Sequence, residues 1–181
     1  MLKQKNYTFQ IKIPENVTVK KEANILFFSG PLGSTGINLE KIDPTGSNSI
    51  SINTNSSTLN ILTSSKSSLG LLKKIILNKI QGITRGFLIY LRIVGIGYRA
   101  HLEKNTLFLK LGYSHDIIYN VPSSIKIFLL EPTLLCLFGI DKNQLTQIAT
   151  KLRSLRKPSV YKGKGIRLLN EKINLKTGKR K

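Results

Sequence analysis

Acidic residues are scarce in this chain. Its 181 residues include 9 Asp+Glu against 29 Lys+Arg, a formal net charge of +20. A chain so charged repels itself unless a polyanion neutralises it, so nucleic acid is the first partner to consider and an anionic membrane the second. Cysteine is nearly absent as well. The single Cys136, set in Leu134-Leu135-Cys136-Leu137-Phe138, can form no internal disulfide and reads as a small core residue. With two histidines and one cysteine the spacing of a metal site is missing, and no paired carboxylates stand out among nine acids. No apolar run approaches the ~18 residues of a membrane-spanning helix. The first residues, Met1 to Asn6, hold no apolar signal core and no Arg-rich amphipathic presequence, so the expectation is a protein made where it works, or one whose targeting segment is absent here. The reading is therefore of a protein that is not an enzyme, with no cofactor, no metal, no small-molecule substrate and no membrane.

What is present alternates. Tyr7, Phe9, Ile11 and Ile13 interleave with polar residues, the period of a half-buried strand. Val17 and Val19 start a second strand, 24–29 a third, and Ile50/Ile52 and Leu59/Ile61 mark two more. The acid-containing but base-free stretch 43–58, rich in Ser, Asn and Thr, reads as an exposed hairpin tip that faces solvent or protein. From Ser67 to Gln81 the period becomes helical, with Leu69, Leu72, Ile76 and Ile80 on one stripe, Ser67 or Ser68 as cap and Gly82 past the end. Strands resume at Phe87–Ile93, Tyr98–Leu102, Leu107–Leu111, Ile117–Val121, Ile125–Leu130 and Leu134–Phe138. Asp141 opens a second helix with Leu145, Ile148, Leu152 and Leu155 on its apolar stripe, and Pro158 stops it.

A repeat runs through this order. Pro14-Glu-Asn-Val17-Thr-Val19, an apolar strand and Gly30 parallel Pro122-Ser-Ser-Ile125-Lys-Ile127, an apolar strand and Gly139. Each half is several strands and one amphipathic helix. The fold class is α+β: two duplicated domains, each a mostly antiparallel sheet with one packed helix, plus a basic C-terminal extension. The expected divisions are 1–82, 83–157 and a basic segment 158–181.

Two constellations imitate catalytic motifs. Gly95-Ile-Gly97-Tyr-Arg-Ala100 fits the loose dinucleotide fingerprint, but that fingerprint needs a helix opening at the glycines, and here the strand period continues; a glycine bend is the reading. Ser114-His115-Asp116 names three triad residue types, yet neighbours in sequence point apart and cannot form a relay. His101 belongs to a polar sheet face beside Arg99.

The basic stretch is different in kind. From 151 to 181 the chain carries twelve Lys+Arg and one acid, Glu171. Within it, Pro158-Ser-Val-Tyr161-Lys162-Gly163-Lys164-Gly165-Ile-Arg167 interleaves cations with glycines, which allow a backbone to come close to phosphates while ammonium and guanidinium groups reach the oxygens. Tyr161 offers a ring for stacking on a base or sugar. The last residues, from Lys176, hold too few apolar side chains to fold alone and read as a basic tail ordered by its partner.

Tyr161-Lys-Gly-Lys-Gly-Ile-Arg167 resembles the signature of the large-subunit ribosomal protein family L-six, the universal uL-six family. Gly82-Ile-Thr-Arg-Gly-Phe87, Val94-Gly-Ile-Gly-Tyr-Arg-Ala100, Leu111-Gly-Tyr-Ser-His115, Gly139-Ile-Asp-Lys142 and Leu152-Arg153 agree in order and spacing. The match is strong over 68–181 and weaker over 1–67, and the basic arm usual before the first strand is reduced to Lys3 and Lys5. The resemblance implies a structural constituent of the large ribosomal subunit that binds its rRNA near the sarcin–ricin loop and the translation-factor site, beside neighbouring ribosomal proteins. The positions it marks for rRNA binding are Arg153, Arg156, Lys157, Tyr161, Lys162, Gly163, Lys164, Gly165 and Arg167. A free-standing basic RNA-binding or RNA-chaperone module is the alternative. Abundant Lys, Ile and Asn suggest an AT-rich gene, which with the missing presequence favours a mitochondrial ribosome; a plastid or a bacterial cytoplasm is the alternative.

Overall fold

The computed structural model describes residues 7–43, 46, 48–53 and 57–178. The expectations for Lys3, Lys5, the tip of the 43–58 stretch and Lys179 to Lys181 fall wholly or partly outside those residues. The chain divides into two compact units, 1–86 and 87–181.

In the first unit β1 (Tyr7–Lys12) is followed by the meander β2 (Thr18–Glu22), β3 (Ile25–Gly30) and β4 (Gly33–Asn38), then the hairpin β5 (Asn48–Asn53) and β6 (Thr58–Thr63), then α1 (Lys66–Thr84). Its strands form two three-stranded sheets, β1-β6-β5 and β2-β3-β4, antiparallel throughout. Ile11, Leu26, Phe28, Ile50, Leu59 and Ile61 face inward and are buried together with Leu72, Ile76, Ile80 and Ile83 of the helix.

The second unit repeats that plan. β7 (Phe87–Val94) precedes the meander β8 (Arg99–Glu103), β9 (Thr106–Lys110) and β10 (Ile117–Asn120), the hairpin β11 (Ile125–Glu131) and β12 (Leu134–Gly139), and α2 (Lys142–Leu155). The sheet order β11-β12-β7 answers β5-β6-β1, and β10-β9-β8 answers β4-β3-β2. A thirteenth strand, β13 (Gly165–Leu168), then joins β7 on its free edge. The core lies between the two sheets and α2: Leu91, Ile93, Leu107, Leu109, Leu135, Leu137, Leu145, Leu152 and Ile166 are all buried in it. The α+β class and the duplication stand, with each sheet of the expectation resolved into two.

Several expectations change. The Pro…Gly repeat falls on elements that do not correspond: Pro14 to Gly30 frames β2–β3, a meander hairpin, whereas Pro122 to Gly139 frames β11–β12, the hairpin that returns to the unit's first strand. Connectivity, not that motif, carries the duplication. Helix α1 is capped by Ser65, whose hydroxyl accepts from Ser68 N–H at 3.2 Å, rather than by Ser67 or Ser68. It also runs through Gly82, which is buried inside it; the chain leaves at Gly86 (φ 72), whose N–H still reaches the Gln81 and Gly82 carbonyls. Strand β4, Gly-Ser-Thr-Gly-Ile-Asn, leaves little mark in the sequence, because only Ile37 on it is buried and glycine and serine have low strand preference. Asp141 caps α2 as expected, accepting from Asn143 N–H at 2.9 Å. Finally, the basic segment does not lie outside the cores, because β13 is a strand of the second unit's sheet and Ile166 is fully buried.

Candidate nucleic-acid interface

Helix α2 delivers the chain to the base of a closed loop. The Ile166 N–H donates to the Arg156 carbonyl at 2.8 Å and Ser159 N–H to the Lys164 carbonyl at 2.9 Å, so 156–159 and 164–166 run as two legs. Gly163 N–H returns to the Ser159 carbonyl at 2.8 Å, Tyr161 N–H to Ser159 Oγ at 3.3 Å, and Lys176 N–H to the Val160 carbonyl at 2.9 Å. The glycines differ in their reasons. At Gly163 (φ 67) a Cβ would meet only Leu175 Cδ2 at 3.7 Å, so backbone conformation alone selects glycine. At Gly165 (φ 141) a Cβ would meet the Lys157 carbonyl oxygen and Pro158 Cα at 2.7 Å and the Arg156 carbonyl oxygen at 2.8 Å. Only a residue without a side chain lets the legs close.

This loop presents Lys157, Tyr161 and Lys162 to solvent, with Lys164 half-buried. Among the described residues no acid lies within ion-pair distance of the three lysines. Cations fixed on a hydrogen-bonded frame lose little freedom on meeting an anion, which favours binding.

The three arginines expected beside them are placed otherwise. Arg153 is held bidentately by Glu171, Nε to Oε2 at 3.0 Å and Nη2 to Oε1. Glu171 also accepts from Leu168 N–H at 3.1 Å, tying α2 to the end of β13. The Arg153 hydrogen bond, aided by that N–H, holds the Glu171 carboxyl below its ordinary range. Arg156 stacks on the Tyr113 ring, its guanidinium carbon 4.6 Å from the centroid, and the Tyr113 hydroxyl donates to the Leu155 carbonyl at 3.0 Å. Arg167 lies in β13, directly across from Arg92 of β7, and its Nε is buried without a hydrogen-bond partner. Like charges facing each other across a ladder repel, by roughly 1 kcal/mol in water at a few ångströms and more in drier surroundings; the Glu171 carboxylate, within electrostatic reach of Arg167, offsets part of this.

The false cofactor motif also has a place here. The bend at Gly95–Tyr98 carries the chain from β7 in one sheet to β8 in the other. The Tyr98 ring rests on two bare backbones: a Cβ at Gly95 or Gly112 would come within 2.5 or 2.8 Å of it. Tyr98, Tyr113 and Arg92 were not singled out in the sequence for these roles; the Tyr113–Arg156 contact spans more than forty residues, and only the closed fold brings it together. Ser114-His115-Asp116 forms no relay: Asp116 pairs with Lys110 at 3.5 Å, while His101 pairs with Glu103 at 3.2 Å in the open. No group of three metal-binding side chains occurs among the described residues, and no helix there is long and apolar enough to cross a membrane.

Fold and surface define a duplicated α+β scaffold presenting a rigid cationic loop. The family model described as Ribosomal protein L6 matches residues 94–168. Large ribosomal subunit protein uL6m of Prototheca wickerhamii is 47% identical, over 94% of this chain and 95% of its own. The uL6m protein of Reclinomonas americana is 38% identical over 95% and 96%, and uL6 of Thermotoga maritima 37% over 94% and 95%. The chain belongs to the ribosomal protein L6 family, structural constituents of the large ribosomal subunit.

Proposed function

We propose that this chain binds large-subunit rRNA of the mitochondrial ribosome through the 156–164 loop, close to the sarcin–ricin loop and the translation-factor site. The observation that carries the reading is the loop itself: Lys157, Lys162 and Lys164 stand without acid partners among the described residues on a backbone closed by glycines, and Tyr161 is 60% exposed beside them. The uL6m relatives support the mitochondrial setting. Arg156 steadies the loop's base through Tyr113, and Arg153 does so through Glu171, so both act by positioning the cations rather than by meeting phosphate first. Neutralised phosphate charge and a fixed local RNA geometry are the result. The division into a first unit, a second unit and a basic rRNA-binding segment is kept as a functional one, the segment being built on the second unit.

Sedimentation tests the assignment. The chain should remain with large subunits through a high-salt wash, and cross-links from position 161 should map to rRNA near the sarcin–ricin loop. Release into the supernatant, or cross-links to distant rRNA, would overturn it.

A further inference from the structure

The sheet β11-β12-β7-β13 has two faces. One is buried against α2 and the second sheet. The other alternates with it: Leu88, Tyr90 and Arg92 on β7, Leu134, Cys136 and Phe138 on β12, Lys126, Phe128 and, past the bulge, Glu131 on β11, and Arg167 on β13. The register lines these up in rows. Lys126, Phe138 and Leu88 form one, Phe128, Cys136 and Tyr90 the next, and, past a bulge in β11, Glu131, Leu134, Arg92 and Arg167 the third. Apart from the buried Cys136, these residues lie outside the unit's buried core. Leu88 is 55% and Phe128 49% exposed, with Tyr90, Leu134 and Phe138 half-buried. The face is thus apolar across its middle, with Lys126 at one corner, Arg92 and Arg167 at another, and the exposed Glu131 at the β11 end of the arginines' row.

We propose that this face docks a neighbouring protein through a segment whose apolar side chains cover Leu88, Phe128 and Phe138 and whose carboxylate sits between Arg92 and Arg167. Charge selects the occupant. RNA brings a phosphate with every nucleotide, and a phosphodiester chain laid across these rows would press charges against leucine and phenylalanine with three cations to meet them. A second copy of this chain, itself at +20, would approach against strong net repulsion. A polypeptide can place one acid among apolar neighbours, which relieves the repulsion between the paired arginines. The inference rests on the chain's place in the large subunit and not on the 156–164 loop.

The test uses intact large subunits carrying variant chains. A benzophenone amino acid at position 128 should cross-link to protein. In R92K subunits a carbodiimide should join position 92 by a direct amide to an Asp or Glu of that same protein, flanked by apolar residues. As a check that needs no large substitution, L88C should react with maleimide about tenfold or more slowly in the subunit than in the isolated chain, where circular dichroism confirms the fold. Cross-links from 128 to rRNA, no amide at 92, or equal L88C rates in the two settings would each overturn the proposal. A cross-link from position 161 to rRNA alongside any of these failures would leave the rRNA-binding reading standing.

Discussion

Replacing Gly165 by alanine should separate a loop built on the core from one merely attached to it. The added Cβ would stand 2.7–2.8 Å from three backbone atoms of residues 156–158, none of which is the end of a flexible side chain. The legs must part, and the 2.8 Å bond from Ile166 N–H to the Arg156 carbonyl is the first to go. A non-glycine residue held in such a conformation costs about 1–3 kcal/mol, and the lost hydrogen bond about 1 more. The second unit should therefore lose roughly 2–4 kcal/mol. Gly163→Ala supplies the control: its φ of 67 is strained for alanine, but its nearest contact would be an ordinary 3.7 Å. It should cost about 1–2 kcal/mol, that of a single left-handed residue. Urea unfolding of both variants, with amide exchange read at Ile166, measures the difference. Equal costs, or unchanged protection at Ile166 in Gly165→Ala, would refute the claim that close approach dictates this glycine.

Lys162→Ala combined with Lys164→Ala should lower the salt slope of binding to a large-subunit rRNA fragment by about two, without altering the circular dichroism spectrum. An unchanged slope would make the loop a solvated one. Glu171→Gln should weaken the link between α2 and β13. Because Arg153 holds the Glu171 carboxyl below its usual range, the native stability from this contact is full above the unfolded carboxyl pKa of about 4.3 and is lost as pH falls through the lower folded value. The gap in urea midpoint between the native chain and Glu171→Gln should accordingly narrow on acidification, and a gap that widens would contradict the assignment. Cys136 is buried in a row between Phe128 and Tyr90, and burial raises its thiol pKa, so in the isolated chain at pH 8 it should alkylate far more slowly than in urea; equal rates would show the thiol to be open to solvent.

Much of this molecule was written in local pattern. Two-residue alternation at Phe9/Ile11, Leu91/Ile93 and Leu107/Leu109 fixed which face of each strand is buried, and helical spacing at Leu72/Ile76/Ile80 and Leu145/Ile148/Leu152 fixed both helices, because burial of one face is a property of a short window. The charge imbalance and the Lys-Gly-Lys-Gly run likewise marked the basic loop without any contact being known. Tertiary structure decided what depends on partners distant in sequence. It alone turned 165–168 into a strand, since a Gly-Ile-Arg-Leu run has too little pattern of its own and is ordered by the free edge of β7 and by α2. Register, which no single strand encodes, then set Arg167 across from Arg92 and placed the buried Cys136 on the sheet's other face, in a row with Phe128 and Tyr90. Arg153, Arg156 and Lys162 are alike to a reader of charge. The fold distinguishes them, because an arginine's role is set by whether an acid such as Glu171, a ring such as that of Tyr113, or open solvent lies within reach of its head group.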